Sequence, residues 1–249
     1  MTSKSDPFKH HPELRDRISD PETSFFRNFS IENVIKIHPQ LETIRPHAIS
    51  DEKREAIRLK ALDGHTGDLW VFAYGSLMWD PAFHFEEVRR VYAEGVARRF
   101  ILVDDRGGRG TKDAPGLMAA LDQGDGCEGL AYRIAAHKVA AETDNLFRRE
   151  MIFPGYSPVR LTVAAEDTTL SALTFLADHS ADEMRPDITR TDQIRMIATG
   201  QGILGTSLGY LSNVVTQLGH LDIDDTACSE LLHGVEAYMA QTSNLGSAQ

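Results

Sequence analysis

The chain has 249 residues, 41% of them hydrophobic, enough for a sizeable domain with its own core. A formal net charge of −11 argues against the basic face that nucleic acid or an anionic membrane surface requires. Cys127 and Cys228, the two cysteines, offer neither a metal-ligand spacing nor a disulfide framework, so a reducing compartment is expected. The first thirty residues are polar and contain no apolar signal-like run. Nor does any stretch approach the roughly twenty apolar residues of a membrane helix. The expectation is a soluble cytoplasmic protein, with no nucleic acid and no membrane as partner.

Residues 1–67 are rich in charge and proline. Their best-patterned piece is SDEKREAIRLKAL, where Ser50 suits a helix cap and Ile57 and Ala61 give a narrow apolar stripe. This segment reads as a partly helical arm or cap, and residues 68–249 as the main domain. WVFAY then reads as a buried strand that breaks on Tyr74-Gly75-Ser76-Leu77. RFILVDD, GLMAAL and CEGLAYRI read as further strands, with RGGRGTKDAPG as an ordered turn region between the first two. A helix is expected from about Ala136 to Ile152, closed by Pro154 and Gly155. VRLTV and ALTFL are strands. In ILGTSLGYLSNVVTQLGHL the residues Leu204, Leu208, Leu211, Val215 and Leu218 recur at helical spacing, with Gly219 as the stop. A last helix is expected from about Asp225 to Met239, starting on acidic residues. Strands crowd the middle and helices the end, without βαβ alternation, which favours an α+β fold.

One residue breaks the pattern. The stripe of the middle helix runs through Val139, Thr143, Leu146 and Phe147, and its next position is Glu150, followed by Met151, Ile152 and Phe153. A carboxyl there has two readings. It lies solvated at the helix edge or paired with Arg148 or Arg149, or it is buried, with its pKa raised toward the range of a general acid/base. In helical projection neither arginine shares the stripe, and position i−4 is Leu146.

The Tyr74–Leu77 loop also has two readings. Ser76 as a nucleophile is disfavoured, because the G-x-S-x-G elbow is absent and no motif places an Asp and a His. As a cradle, Gly75 lets the backbone approach a ligand, and successive N–H groups hold a carboxylate or a developing oxyanion. An ordinary strand-end bend is the plain alternative.

Five segments in order, WVFAYGSLMWDP, GRGTKDAPGLMAAL, CEGLAYRI, RREMIFPGY and GILGTSLGYL, resemble the ChaC-type γ-glutamylcyclotransferase family over roughly Leu69 to Asp224. The resemblance implies a compact mixed β-barrel with flanking helices and a mostly helical C-terminal part. It also implies breakdown of glutathione to 5-oxoproline and cysteinylglycine. The family's catalytic glutamate falls on Glu150, its substrate loop on Tyr74, Gly75, Ser76 and Leu77, and its downstream tyrosines on Tyr156 and Tyr210. The sequence departs from the family at Ser207, where Asn is frequent, and at Gly209, where Gln or Glu is frequent; this bears on contacts made there.

The chemistry suits these groups. In a γ-glutamyl amide the α-amine can attack the side-chain carbonyl and close a five-membered lactam, so neither a serine, a cysteine, a metal nor an organic cofactor is called for. What is needed is a base for the ammonium and an acid for the leaving amine, and one carboxyl of raised pKa serves both. Arg109 is the candidate cation for a substrate carboxylate, or else a structural arginine of its turn. Glu128 is a lesser candidate for the base, and His137 a solvated or capping residue. Two alternatives stand: a cyclotransferase for other γ-glutamyl amines or peptides, and a barrel that binds a γ-glutamyl ligand without turning it over. A phosphate site at RGGRG lacks the strand–loop–helix context and the lysine of a P-loop.

Overall fold

The structure, a computed structural model, describes residues 6–246. It divides into two units: Met1–Arg98 with Leu121–Asp178, and Arg99–Ala120 with His179–Gln249.

The first unit is built on a closed five-stranded barrel. Its strands are β1 (Leu69–Ala73), β2 (Glu87–Ala93), β5 (Cys127–Ile134), β6 (Tyr156–Ala164) and β7 (Thr169–Ala177), numbered with β3 (Val96–Arg106) and β4 (Thr111–Gln123) between them. The order β1-β5-β2-β6-β7 is antiparallel throughout, and β7 returns to β1 as a parallel pair at Trp70↔Ala172 and Val71↔Leu173. β4 joins β7 at Leu121↔Leu176. Phe72 and Tyr74, Val91 and Ala93, Cys127 and Ala131, Val163 and Ala172 form one cluster. Side chains from five different strands meet only on the inside of a closed sheet, and the small ones let so few strands close.

β1 is a continuous apolar run because β5 and β7 pair with both its edges and both its faces are covered; Leu69, Val71, Phe72 and Ala73 are fully buried. β2, which the sequence pattern does not suggest, carries its charges in ion pairs instead. Arg89 bonds Glu87, and Arg90 bonds Glu128 on the neighbouring strand at 2.6 Å.

Helix α3 (Val139–Glu150) packs on the barrel through Leu146 and Phe147, the latter edge-on to Phe175 at 5.2 Å. It ends at Glu150, two residues short of the expected Ile152. The N-terminal residues of this unit carry α1 (Ile31–Ile37) and α2 (Asp51–Ala61), each capped by a serine: Ser30 accepts from Asn33 N–H and Ser50 from Lys53 N–H. α2 and the residue before its cap are tied to the α3 side of the unit by Ile49 N–H to Ile152 O, 2.9 Å, and by Arg58 to Thr143 Oγ1, 2.9 Å.

The second unit holds the outer lengths of β3 and β4, then α4 (Arg190–Thr199), a small hairpin of β8 (Gln201–Gly202) and β9 (Gly205–Thr206), α5 (Ser207–His220) and α6 (Thr226–Gly246). The expected turn region is shorter than RGGRGTKDAPG: only Gly107–Gly110 turns, and Thr111–Gly116 already belong to β4. The turn needs its glycines because other backbone crosses it. A Cβ on Gly110 would lie 2.0 Å from Gly116 N, and one on Gly202 2.4 Å from Gly107 O. Helix α5 buries Ser207, Tyr210, Leu211, Val214, Gln217 and Leu218, a face turned away from Leu208 and Val215. The helix also passes the expected Gly219 stop, to His220. Among the described residues no helix is long and apolar enough to cross a membrane.

Candidate active site

The loop after β1 is a single 3₁₀ turn. Gly75 O accepts from Met78 N–H at 2.9 Å and Ser76 O from Trp79 N–H at 3.2 Å. The first N–H groups of such a turn, here those of Ser76 and Leu77, have no acceptor inside it. Tyr74 points into the barrel core, 6% exposed, and its hydroxyl donates to Phe175 O at 3.4 Å. Its carbonyl accepts from Arg98 Nε at 2.5 Å. Leu77 and Met78 are buried, so the turn is anchored on both flanks.

Helix α3 presents two buried rows to its surroundings. One is the apolar stripe already described. The other is polar: Glu142, Asn145 and Arg149, at i, i+3 and i+7. Arg149 has 2% of its side chain exposed, and each of its three side-chain nitrogens has a partner. Nη2 donates to Ser76 Oγ at 2.8 Å, Nη1 to Asp80 O, and Nε lies 3.0 Å from Glu150 Oε1. One guanidinium thus holds the Glu150 carboxylate and the glycine-serine turn together. The Phe26 ring covers the guanidinium plane, 4.5 Å from Cζ to the ring centroid.

Glu150 is 15% exposed at its side chain, buried but open on one side. Burial pushes its carboxyl above the ordinary carboxylate value. The charge and hydrogen bond of Arg149 pull it down by less, and the nearby charge of Asp80 adds to the rise. Its position at the C-terminal end of α3, where free carbonyls disfavour a negative charge, works in the same direction. Asp80 Oδ1 is itself buried with no hydrogen-bond partner among the described residues. Tyr132, fully buried, donates to Met78 O at 3.0 Å and braces the turn from below; burial holds its phenol far above the usual value.

Of the two readings of Glu150, the structure combines parts of both: it pairs with Arg149, one of the two arginines named, and its carboxyl is largely buried. Arg149 is out of register in helical projection, but a long side chain laid across the last turn of the helix bridges that angle. The pairing does not leave Glu150 in open solvent; it forms inside the packed site.

Ser76 as a nucleophile finds no support, since its hydroxyl accepts from an arginine, which holds its protons and cannot serve as a base. Glu128 is a third exposed at its side chain and bound to Arg90. Tyr156 opens β6 opposite Ala177, after Gly155 turns the chain at φ +137°, and is half-buried.

Tyr210 and Arg109 belong to the second unit. There Tyr210 is 4% exposed and packs edge-on to Phe100 at 6.0 Å, while Arg109 lies over the Tyr210 ring at 5.0 Å and donates to Thr206 O at 3.3 Å. At the departing positions, Ser207 bonds both backbone groups of Leu117, donating at 2.5 Å and accepting at 2.9 Å, and Gly209 N–H is capped by Thr206 Oγ1 at 2.9 Å. The RGGRG turn offers no phosphate cradle: Asp104 already accepts from Arg106 N–H at 2.9 Å and from Arg109 N–H.

Sequence reasoning named Arg149 only as one of two possible partners of Glu150, without its link to Ser76, and missed Asp80 and Phe26. The spacing Glu142, Asn145, Arg149 was a usable signal, a helical row written in polar residues, but a search for apolar stripes passes over it.

A solved structure of a γ-glutamyl cyclotransferase specific to glutathione from yeast superposes with a TM-score of 0.63 at 20% identity, over 70% of this chain and 97% of that one. The fold is therefore the γ-glutamylcyclotransferase-like barrel. A family model described as ChaC-like protein matches residues 69–238. The Escherichia coli glutathione-specific γ-glutamylcyclotransferase is 36% identical over 177 residues, 70% of this chain and 76% of that protein. The human glutathione-specific γ-glutamylcyclotransferase 1 is 34% identical over 60% of this chain and 69% of its own length. The chain belongs to the ChaC-like family.

Proposed function

We propose that this protein is a γ-glutamylcyclotransferase that breaks glutathione into 5-oxoproline and cysteinylglycine, with Glu150 as the proton carrier. The observation that carries the reading is the buried Glu150 carboxyl joined through Arg149 to Ser76 of the substrate turn. The names of the relatives support the same substrate.

Glu150 takes a proton from the substrate α-ammonium. The freed amine attacks the γ-carbonyl carbon, forming the new C–N bond and a tetrahedral oxyanion. The Ser76 and Leu77 N–H groups are the donors we assign to that oxyanion. Collapse breaks the amide bond to cysteine. The α-ammonium gives up two protons in becoming the lactam N–H, and the leaving nitrogen gains two in becoming an ammonium. Glu150 passes them across, so no water is consumed. Holding amine and carbonyl within about 3–3.5 Å is the second contribution. We assign it to the Tyr74–Leu77 turn and Tyr156; Tyr210 and Arg109 enter on the motif resemblance.

The proposal keeps residues 1–67 as an arm on a catalytic domain of 68–249, a cytoplasmic location, no nucleic-acid partner and no cofactor. Purified protein incubated with glutathione should release 5-oxoproline and cysteinylglycine in equal amounts, with or without a chelator. γ-Glutamyl dipeptides and amines should compete poorly. Absence of 5-oxoproline with glutathione as sole substrate refutes the reading.

A further inference from the structure

The N-terminal residues contribute directly to the candidate site, and this contribution lies outside the 69–238 span of the family match. The segment SFFRNFS folds as a tight turn. Ser24 O accepts from Arg27 N–H at 3.1 Å, Ser24 Oγ from Phe26 N–H at 3.1 Å, and Asn28 takes the left-handed φ of 58° before Ser30 caps α1. Phe25 and Phe29 pack against Phe26 with ring centroids 5.2 and 5.9 Å away, which fixes the Phe26 ring.

The turn is docked on both pieces of the site. On α3, Arg27 pairs with the buried Glu142 at 2.5 Å and Asn28 N–H bonds Asn145 Oδ1 at 3.2 Å. Near the substrate turn, Ser19 N–H bonds Trp79 O at 2.8 Å and Arg27 donates to Ala82 O at 3.3 Å. Between these anchors the Phe26 ring closes over Arg149. The guanidinium edge is occupied by Ser76, Asp80 and Glu150, and Phe26 covers a face of its plane.

We infer that the arm is a working part of the active site, with Phe26 a positioning residue that clamps Arg149 in the geometry joining Glu150 to the Ser76 turn. The inference rests on the glutathione-cyclising reading for its kinetic arm only. A desolvated cation–π contact has a magnitude that changes a rate measurably. Phe26→Leu keeps an apolar side chain but removes the π face, and should lower kcat about tenfold with KM within about twofold. Phe26→Trp restores the π face and should return kcat to within about twofold of the native protein. Ile37→Ser, on the same arm but 69% exposed, should change nothing.

The discriminating measurement is the double variant. If Phe26 acts through Arg149, Phe26→Leu should cost less than about twofold when placed in Arg149→Met. An equal cost in both backgrounds makes the arm merely structural and overturns the inference. So does native kcat in Phe26→Leu. A readout free of turnover accompanies it: exchange of the Arg149 Nε–H with solvent, followed by NMR on ¹⁵N-arginine-labelled full-length protein. Exchange should accelerate about tenfold in Phe26→Leu and stay slow in Phe26→Trp. If native protein releases no 5-oxoproline, the activity reading fails and this exchange alone judges the clamp; unchanged exchange in Phe26→Leu refutes it.

Discussion

Glu150→Gln tests the proposed chemistry with the least disturbance of shape. Gln is isosteric, and its amide oxygen can still accept from Arg149 Nε, which lies 3.0 Å from Oε1, so the link to Ser76 is retained. What is lost is the proton carrier. General acid–base catalysis contributes about 10²–10⁴-fold, so kcat should fall by that factor, about 3–5 kcal/mol in barrier. KM should change by less than about threefold, because no binding contact is removed. The assay is 5-oxoproline release from glutathione across pH, with thermal unfolding in parallel. The carboxyl titrates higher in the folded state than in the unfolded one. The stability it contributes is therefore full below the unfolded value and lost as pH rises through the folded value. Glu150→Gln has no such loss, so its stability relative to the native protein should improve with pH across that window. Turnover within about tenfold of native at every pH would remove Glu150 from the mechanism. A variant that loses activity and also unfolds would show instead that the carboxylate is structural.

Arg149→Met withdraws the charge that holds Glu150 down, so the carboxyl should move further up. The acid limb of kcat/KM should then shift to higher pH, with a larger loss near pH ~6 than near pH ~8. Ser76→Ala removes the acceptor of one charged hydrogen bond, and kcat/KM should fall roughly tenfold, with no covalent intermediate in native or variant by mass spectrometry. Loss of activity to the level of Glu150→Gln would reopen Ser76 as a reacting group. Arg27→Met strands Glu142, whose side chain is 5% exposed, and should cost about 3–5 kcal/mol in urea unfolding. Arg27→Met with Glu142→Leu should recover most of it, and no recovery would mean the ion pair is not the source of the loss.

Much of the barrel was legible because its strands are strongly patterned. WVFAY, CEGLAYRI, VRLTV and ALTFL stand where β1, β5, β6 and β7 lie. β2 was hidden because Glu87, Arg89 and Arg90 interrupt its apolar pattern; in the fold they pair with neighbours and with each other. α4 carried an overlooked signal, the Thr189 side chain that caps Asp192 N–H at 3.1 Å. On α5 a leucine count placed Leu211 and Leu218 correctly but missed the polar part of the buried face. Gln217 and Ser207 are buried there, and Ser207 is satisfied by Leu117, ninety residues away in the chain. Glu150 was legible as an acid on an apolar face, with Arg148 and Arg149 as possible partners; that Arg149 is the one depends on how a long side chain lies over a helix end.

Local propensity and motif order were enough to determine most of the barrel strands, α3, the Ser50 cap of α2 and the family. They also singled out Glu150 and the Tyr74–Leu77 turn as the chemical pieces. Tertiary structure alone decided that β7 returns to close the barrel on β1, that Arg149 ties Glu150 to Ser76, and that Phe26 covers that tie. Periodicity carries information across a few turns of chain. A contact spanning seventy or a hundred and twenty residues is set by the path of the whole backbone, and no local pattern records it.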